Sequence, residues 1–85
     1  MKTLLNYLVK QLVDHPKEVK IEEKIEASRT ILTIHADQSD LGKIIGRSGR
    51  IIRALRDLLK IVAAKHQTYV DVEIAEDAQK VSEAT

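Results

Sequence analysis

Two glycines three residues apart, in Gly46-Arg47-Ser48-Gly49, are bracketed by pairs of isoleucines, Ile44-Ile45 before them and Ile51-Ile52 after. The isoleucines belong in a core; the four residues between them do not. Glycine lacks a Cβ, so the chain can turn sharply there and an anion can approach the main chain closely. Backbone N–H groups at such a bend are expected to face outward. A helix expected to begin at about Gly49 would add the positive end of its dipole. Lys43, Arg47, Arg50, Arg53 and Arg56 run through the same stretch, with no acidic residue among them. Ser48 adds a hydroxyl able to donate to a phosphate oxygen. Such a loop suits phosphate: backbone and guanidinium groups are placed to hold an extended nucleic-acid strand.

Other chemistry has less support. His15, His35 and His66 fall on three separate elements, none with a histidine or acidic residue four positions away, so no metal site or acid–base pair is expected. Glu22, Glu23 and Glu26 are interleaved with Lys20 and Lys24, the pattern of a solvated strand rather than of paired catalytic carboxylates. The sequence holds no nucleophile constellation and no phosphate-loop Gly-Lys-Ser/Thr. No enzymatic activity, cofactor or small-molecule substrate is expected. There is no cysteine, which excludes disulfides and thiolate metal sites and fits a cytoplasmic location. No stretch is long enough to span a membrane. The apolar start, Met1 to Val9, is broken by Asn6 and followed by Lys10, Gln11 and Asp14, so it reads as an amphipathic helix rather than a leader.

The elements that must position the loop follow from periodicity. Eighty-five residues, 44% of them hydrophobic, suit one small domain. Lys+Arg number 14 and Asp+Glu 13, so net charge names no partner and only its local concentration is informative. Leu4, Leu5, Leu8, Val9, Leu12 and Val13 recur at helical spacing and predict a helix over about 2–14, ended by His15-Pro16. Val19, Ile21 and Ile25 alternate with charges and predict a strand that lies at an edge or bulges, because Glu23 interrupts the apolar row. After a reset at Ala27-Ser28-Arg29, Leu32, Ile34 and Ala36 form a second strand, giving an antiparallel hairpin. Ser39 or Asp40 is placed to cap a short helix over about 40–45. A longer helix over about 49–66 carries Ile51, Ile52, Leu55, Leu58, Leu59, Val62 and Ala63 on one face, with Arg53 and Asp57 spaced as a weak surface pair. Val70, Val72 and Ile74 predict a third strand, and residues 76–85 a frayed tail. The order α-β-β-α-α-β implies an α+β domain over residues 1–75, with three helices on one face of a three-stranded sheet.

A short helix ending in Ile44-Ile45-Gly46-Arg47-Ser48-Gly49, followed by an amphipathic helix with Arg50, Arg53 and Arg56, resembles the K-homology (KH) domain. Its place after two strands and before a third, with a leading helix, resembles the bacterial type II form, and in detail the KhpA family of small single-KH proteins. The resemblance covers about residues 2–75. It implies that Gly46, Arg47, Ser48 and Gly49 clamp the sugar–phosphate backbone of about four single-stranded nucleotides. Lys43 and Arg50 would flank the clamp, with Arg53 on the same helix beyond them. Ile44, Ile45 and Ile52 match the positions that build the groove floor and the core behind it. The variable loop of the type II form corresponds to Lys65–Thr68, short enough to imply little sequence readout. The resemblance also implies RNA-chaperone or post-transcriptional roles linked to cell shape and envelope growth, a homodimer, and a partner protein with its own KH domain.

The residues agree on one independent point. Tyr7 and Tyr69 are the only aromatics, so the stacking platforms of other single-strand binders are excluded on any scale. A clamp of backbone, aliphatic floor and arginines needs none. The alternative is an assembly module that turns the same basic face toward an acidic protein. Reading of a DNA major groove is disfavoured by the short first helix and by a second helix without Asn or Gln.

Overall fold

The computed structural model describes residues 1–75; the tail expected over 76–85 lies outside the described residues. The elements follow the expected order: α1 (Lys2–Lys10), β1 (Lys20–Glu26), β2 (Arg29–His35), α2 (Leu41–Ile45), α3 (Arg50–Lys65) and β3 (Tyr69–Ile74).

β1 and β2 pair antiparallel with Glu26 opposite Arg29, so only Ala27 and Ser28 make the turn, and Ala27 takes a left-handed φ of +54°. β3 pairs with β2 in parallel, with Leu32 opposite Val72. A parallel pair needs a crossover, and α2 and α3 supply it. β2 is therefore central and β1 an edge, as the broken apolar row indicated.

Alternation decides which sheet face is covered. Ile21, Leu32, Ile34, Val70 and Val72 point one way and are buried with Leu5 and Val9 of α1, Leu41 and Ile44 of α2, and Leu55, Leu59 and Ala63 of α3. The intervening Lys20, Glu22, Lys24, Glu26, Tyr69 and Glu73 are exposed. All three helices thus share one face of a mixed sheet, an α+β fold. α1 lies beside Val19–Ile21, and Ile25, farther along the same face, is 70% exposed.

α1 is one turn shorter than its periodicity suggested. Leu12 and Val13 still pack against the core, but the N–H groups of Gln11 and Leu12 bond back only three residues, to Leu8 and Val9 (3.2 and 2.9 Å). Beyond Val13, the N–H groups of Asp14 and His15 donate to the Asp40 carboxylate at 3.1 and 3.0 Å. A distant acceptor takes the place of another helical turn.

Candidate nucleic-acid interface

Leu41 and Ile44 are buried and fix α2 to the core, so the chain after Ile45 starts from a rigid position. Gly46 ends the helix at φ +76°, its N–H still donating to Gly42 O at 2.9 Å. Residues Arg47–Gly49 form a single tight turn, closed by a bond from Gly49 N–H to Gly46 O at 3.1 Å, and α3 begins at Arg50. Ser48 (φ +55°) and Gly49 (φ +73°) are both left-handed.

The two loop glycines are needed for different reasons. A Cβ on Gly46 would lie 2.6 Å from Ile51 Cγ1 and 2.9 Å from Ile51 N, so the first turn of α3 packs directly on that backbone. A Cβ on Gly49 would meet only Ile52 Cγ2 at 3.9 Å; there the sign of φ alone favours glycine. Gly42 has open space around it.

The loop's four N–H groups, expected to face outward, divide into two pairs. Those of Gly46 and Gly49 are spent inside the bend, whereas those of Arg47 and Ser48 have no protein acceptor among the described residues. Arg47, Ser48, Arg50 and Arg53 are exposed, and Gly46, Gly49, Ile45 and Ile52 are half-buried. Ile44 is fully buried and belongs to the core behind the loop. Among the described residues no carboxylate lies within 4.0 Å of Arg47, Arg50 or Arg53. The surface pair expected between Arg53 and Asp57 is not formed. Arg56 turns instead to the sheet, donating to Val72 O (3.2 Å from Nη2) beside Asp71.

Lys43 differs from the arginines. Its ammonium is 3.0 Å from Asp14 Oδ2 and 3.8 Å from Asp40 Oδ1. Behind it lies a polar hub that the sequence did not reveal. Asp40 is 0% exposed. It accepts from the N–H groups of Asp14 and His15 and contacts His15 Nδ1 at 3.0 Å. It does not cap α2. Asp37 does the local capping one turn earlier, accepting from Ser39 N–H at 3.1 Å and from the Ser39 hydroxyl. Burial pushes the Asp40 carboxyl upward, but the donors from Asp14 and His15 outweigh it and hold it below the ordinary value. The same contact raises His15, and Asp14 raises Lys43. His15, Asp37 and Asp40 bring ligand-type atoms within 4.8 Å of one another, yet the Asp40 oxygens already face N–H donors. Asp37, Asp40 and Lys43 are spaced three apart, but Asp14 and His15 lie 26 and 25 positions from Asp40, so no local pattern could have joined them to it.

Among the described residues, the arrangement is an exposed bend with two unpaired backbone N–H groups, three unpaired guanidinium groups and half-buried isoleucines beside it. Such a surface can hold a polyanion by its backbone. Chains of this kind are known. A model of the KhpA/KhpB KH domain matches residues 2–74. The chain is 45% identical over 78 residues to the RNA-binding protein KhpA of Chlamydia caviae, covering 91% of this chain and 99% of that protein. It is 49% identical over 71 residues to the RNA-binding protein KhpA of Borreliella burgdorferi, covering 84% and 87%. Against the RNA-binding protein KhpA of Clostridium acetobutylicum it is 42% identical over 74 residues, covering 87% and 99%. Since the match runs from α1 through β3 and includes the glycine loop, the chain belongs to the KhpA/KhpB family of KH domains.

Proposed function

We propose that the protein binds single-stranded RNA by its backbone, with Gly46, Arg47, Ser48 and Gly49 as the clamp and Arg50 and Arg53 extending the positive surface. The N–H groups of Arg47 and Ser48 and the Ser48 hydroxyl would meet phosphate oxygens, and Ile45 and Ile52 the apolar side of the strand. Ile44 supports them from the core. The observation that carries this reading is the contrast in charge satisfaction: Arg47, Arg50 and Arg53 are exposed with no carboxylate partner among the described residues. The relatives' name, RNA-binding protein, points the same way. The short turn after α3, Lys65–Thr68, supports a preference for strand shape over sequence. The site needs no cofactor and performs no catalysis.

One such clamp is expected to bind at about 10⁻⁴–10⁻⁶ M at physiological salt, so a second module would raise affinity by linkage. Leu58 and Ile61 on α3, 42% and 68% exposed, support association with a second copy or with another KH-containing protein. An RNA-chaperone or post-transcriptional role in the cytoplasm, linked to cell shape and envelope growth, is what the family resemblance suggests for the whole. The test is salt. Binding to a labelled single strand is expected to weaken as salt rises, with a log–log slope of about −0.7 for each phosphate engaged. A flat response would support the assembly-module reading instead.

A further inference from the structure

From Lys43 to Arg53, only Lys43 has a carboxylate partner among the described residues, and the chief partner is Asp14 at 3.0 Å. Lys43 lies three residues before Gly46, about 4.5 Å along the helix axis, and its long flexible side chain can extend toward a strand lying on the loop. The backbone of Asp14 is anchored beside Lys43. Its own N–H is held by Asp40 at 3.1 Å, and Asp40 is in turn fixed by His15 and shut away from water. A buried hub therefore delivers an anion to the one lysine beside the loop. The pair itself remains open to solvent, with side chains 47% and 70% exposed. Exposed pairs of this kind are weak, and a phosphodiester offers the ammonium an equivalent anionic oxygen.

Resting on the clamp reading above, we propose that Asp14 sets the affinity of the clamp: it occupies the Lys43 ammonium in the free protein, and a strand gains its last ionic contact only by taking that ammonium from Asp14. The exchange is between two anions and moves no proton, since the neighbouring carboxylate keeps Lys43 charged.

The test is a double-variant cycle with Asp14→Asn and Lys43→Met, read with a short labelled oligouridylate across a salt series. Asparagine retains the N–H that bonds to Asp40, and thermal melting checks that each variant is folded; Asp14→Ser serves should asparagine unfold the chain. Asp14→Asn is expected to tighten binding about two- to fivefold and to steepen the salt slope by up to about 0.7. In the Lys43→Met background both gains should vanish. Unchanged affinity and slope in Asp14→Asn would overturn the proposal, as would weaker binding or an equal gain without Lys43. If the natural sequence itself shows no salt-dependent binding, the clamp reading fails first. If it binds with a negative slope and Asp14→Asn changes nothing, only the role of Asp14 falls.

Discussion

The Asp40 hub and the Gly46–Gly49 loop are separated by one short helix, α2, and both are rich in charge. At the hub each charged group has a partner: Asp40 with Asp14 N–H and His15, Asp37 with Ser39, Lys43 with Asp14. At the loop, Arg47, Arg50 and Arg53 have no carboxylate partner among the described residues. The hub also buries its central carboxylate, while the loop keeps its side chains in water. Burial explains the difference. A carboxylate removed from solvent must be matched by donors, whereas an exposed guanidinium loses little by staying unpaired. Charges that hold the fold are consumed by it, and charges left over are available to a ligand.

The backbone shows the same division, and it yields the largest expected effect. Gly46→Ala adds a strain of about 1–3 kcal/mol, because φ +76° with ψ 174° is a region nearly closed to other residues, to an overlap with Ile51 worth about 1–3 kcal/mol. Gly49→Ala suffers only the left-handed strain, about 1–2 kcal/mol. Urea midpoints should therefore separate the two variants clearly. Equal losses would mean that α3 does not pack on Gly46 as described.

At the hub, Asp40→Ala leaves the N–H groups of Asp14 and His15 without their acceptor in a half-enclosed site. A lower melting temperature is expected, with a smaller drop than for Gly46→Ala. Lys43→Met, which removes only an exposed partner, should lower it far less. If Lys43→Met proved as damaging as Asp40→Ala, the buried carboxylate would not be the centre of the hub.

A smaller effect lies in pH. His15 is raised above its ordinary 6.5, first by the hydrogen bond with Asp40 and also by the charges of Asp40, Asp37 and Asp14. A raised histidine stabilises the fold fully below its unfolded value, and that contribution is lost as pH rises through the folded value. Asp40 is lowered, so its own contribution holds above the ordinary carboxyl value and is lost only as pH falls through the lowered one. Against His15→Gln, the natural sequence should thus show its greatest thermal advantage in mildly acidic solution, with the gap closing toward alkaline pH. A gap that widened with pH would contradict the pairing.

The smallest change is expected at Ser48. Its left-handed φ of +55° costs about 1–2 kcal/mol, while glycine there would cost about 0.5–1 kcal/mol in unfolded-chain entropy. Ser48→Gly should stabilise the protein by about 0.5 kcal/mol, as measured by chemical denaturation. A clear loss would show that the Ser48 hydroxyl supports the loop itself.

What could be read from the sequence was local. The apolar spacing of Ile51 to Ala63 gave α3 to within a residue, and alternation from Leu32 to Ala36 and from Val70 to Ile74 gave the two strands of the core. The glycine spacing marked the loop, because turns depend on neighbouring residues. Non-local contacts were not legible. Asp14 and His15 meet Asp40 across 26 and 25 positions, so neither the early end of α1 nor the true partner of Asp40 could be derived from spacing. Arg56 presented the same difficulty: it belongs to a run of basic residues by sequence, but β3 lies alongside it and takes its guanidinium. Lys43 likewise looked like one more cation of the loop until the hub placed Asp14 against it.

The proposed grip of the open bend on the phosphates of an unpaired strand can be removed by reversing its charge. Its most direct test is equilibrium binding of single-stranded RNA to the variant Arg47→Asp with Ser48→Asp, whose altered side chains are exposed and leave the core untouched. The expected result is a protein that melts as before and binds at least about tenfold more weakly. Unchanged affinity in a folded variant would contradict the account.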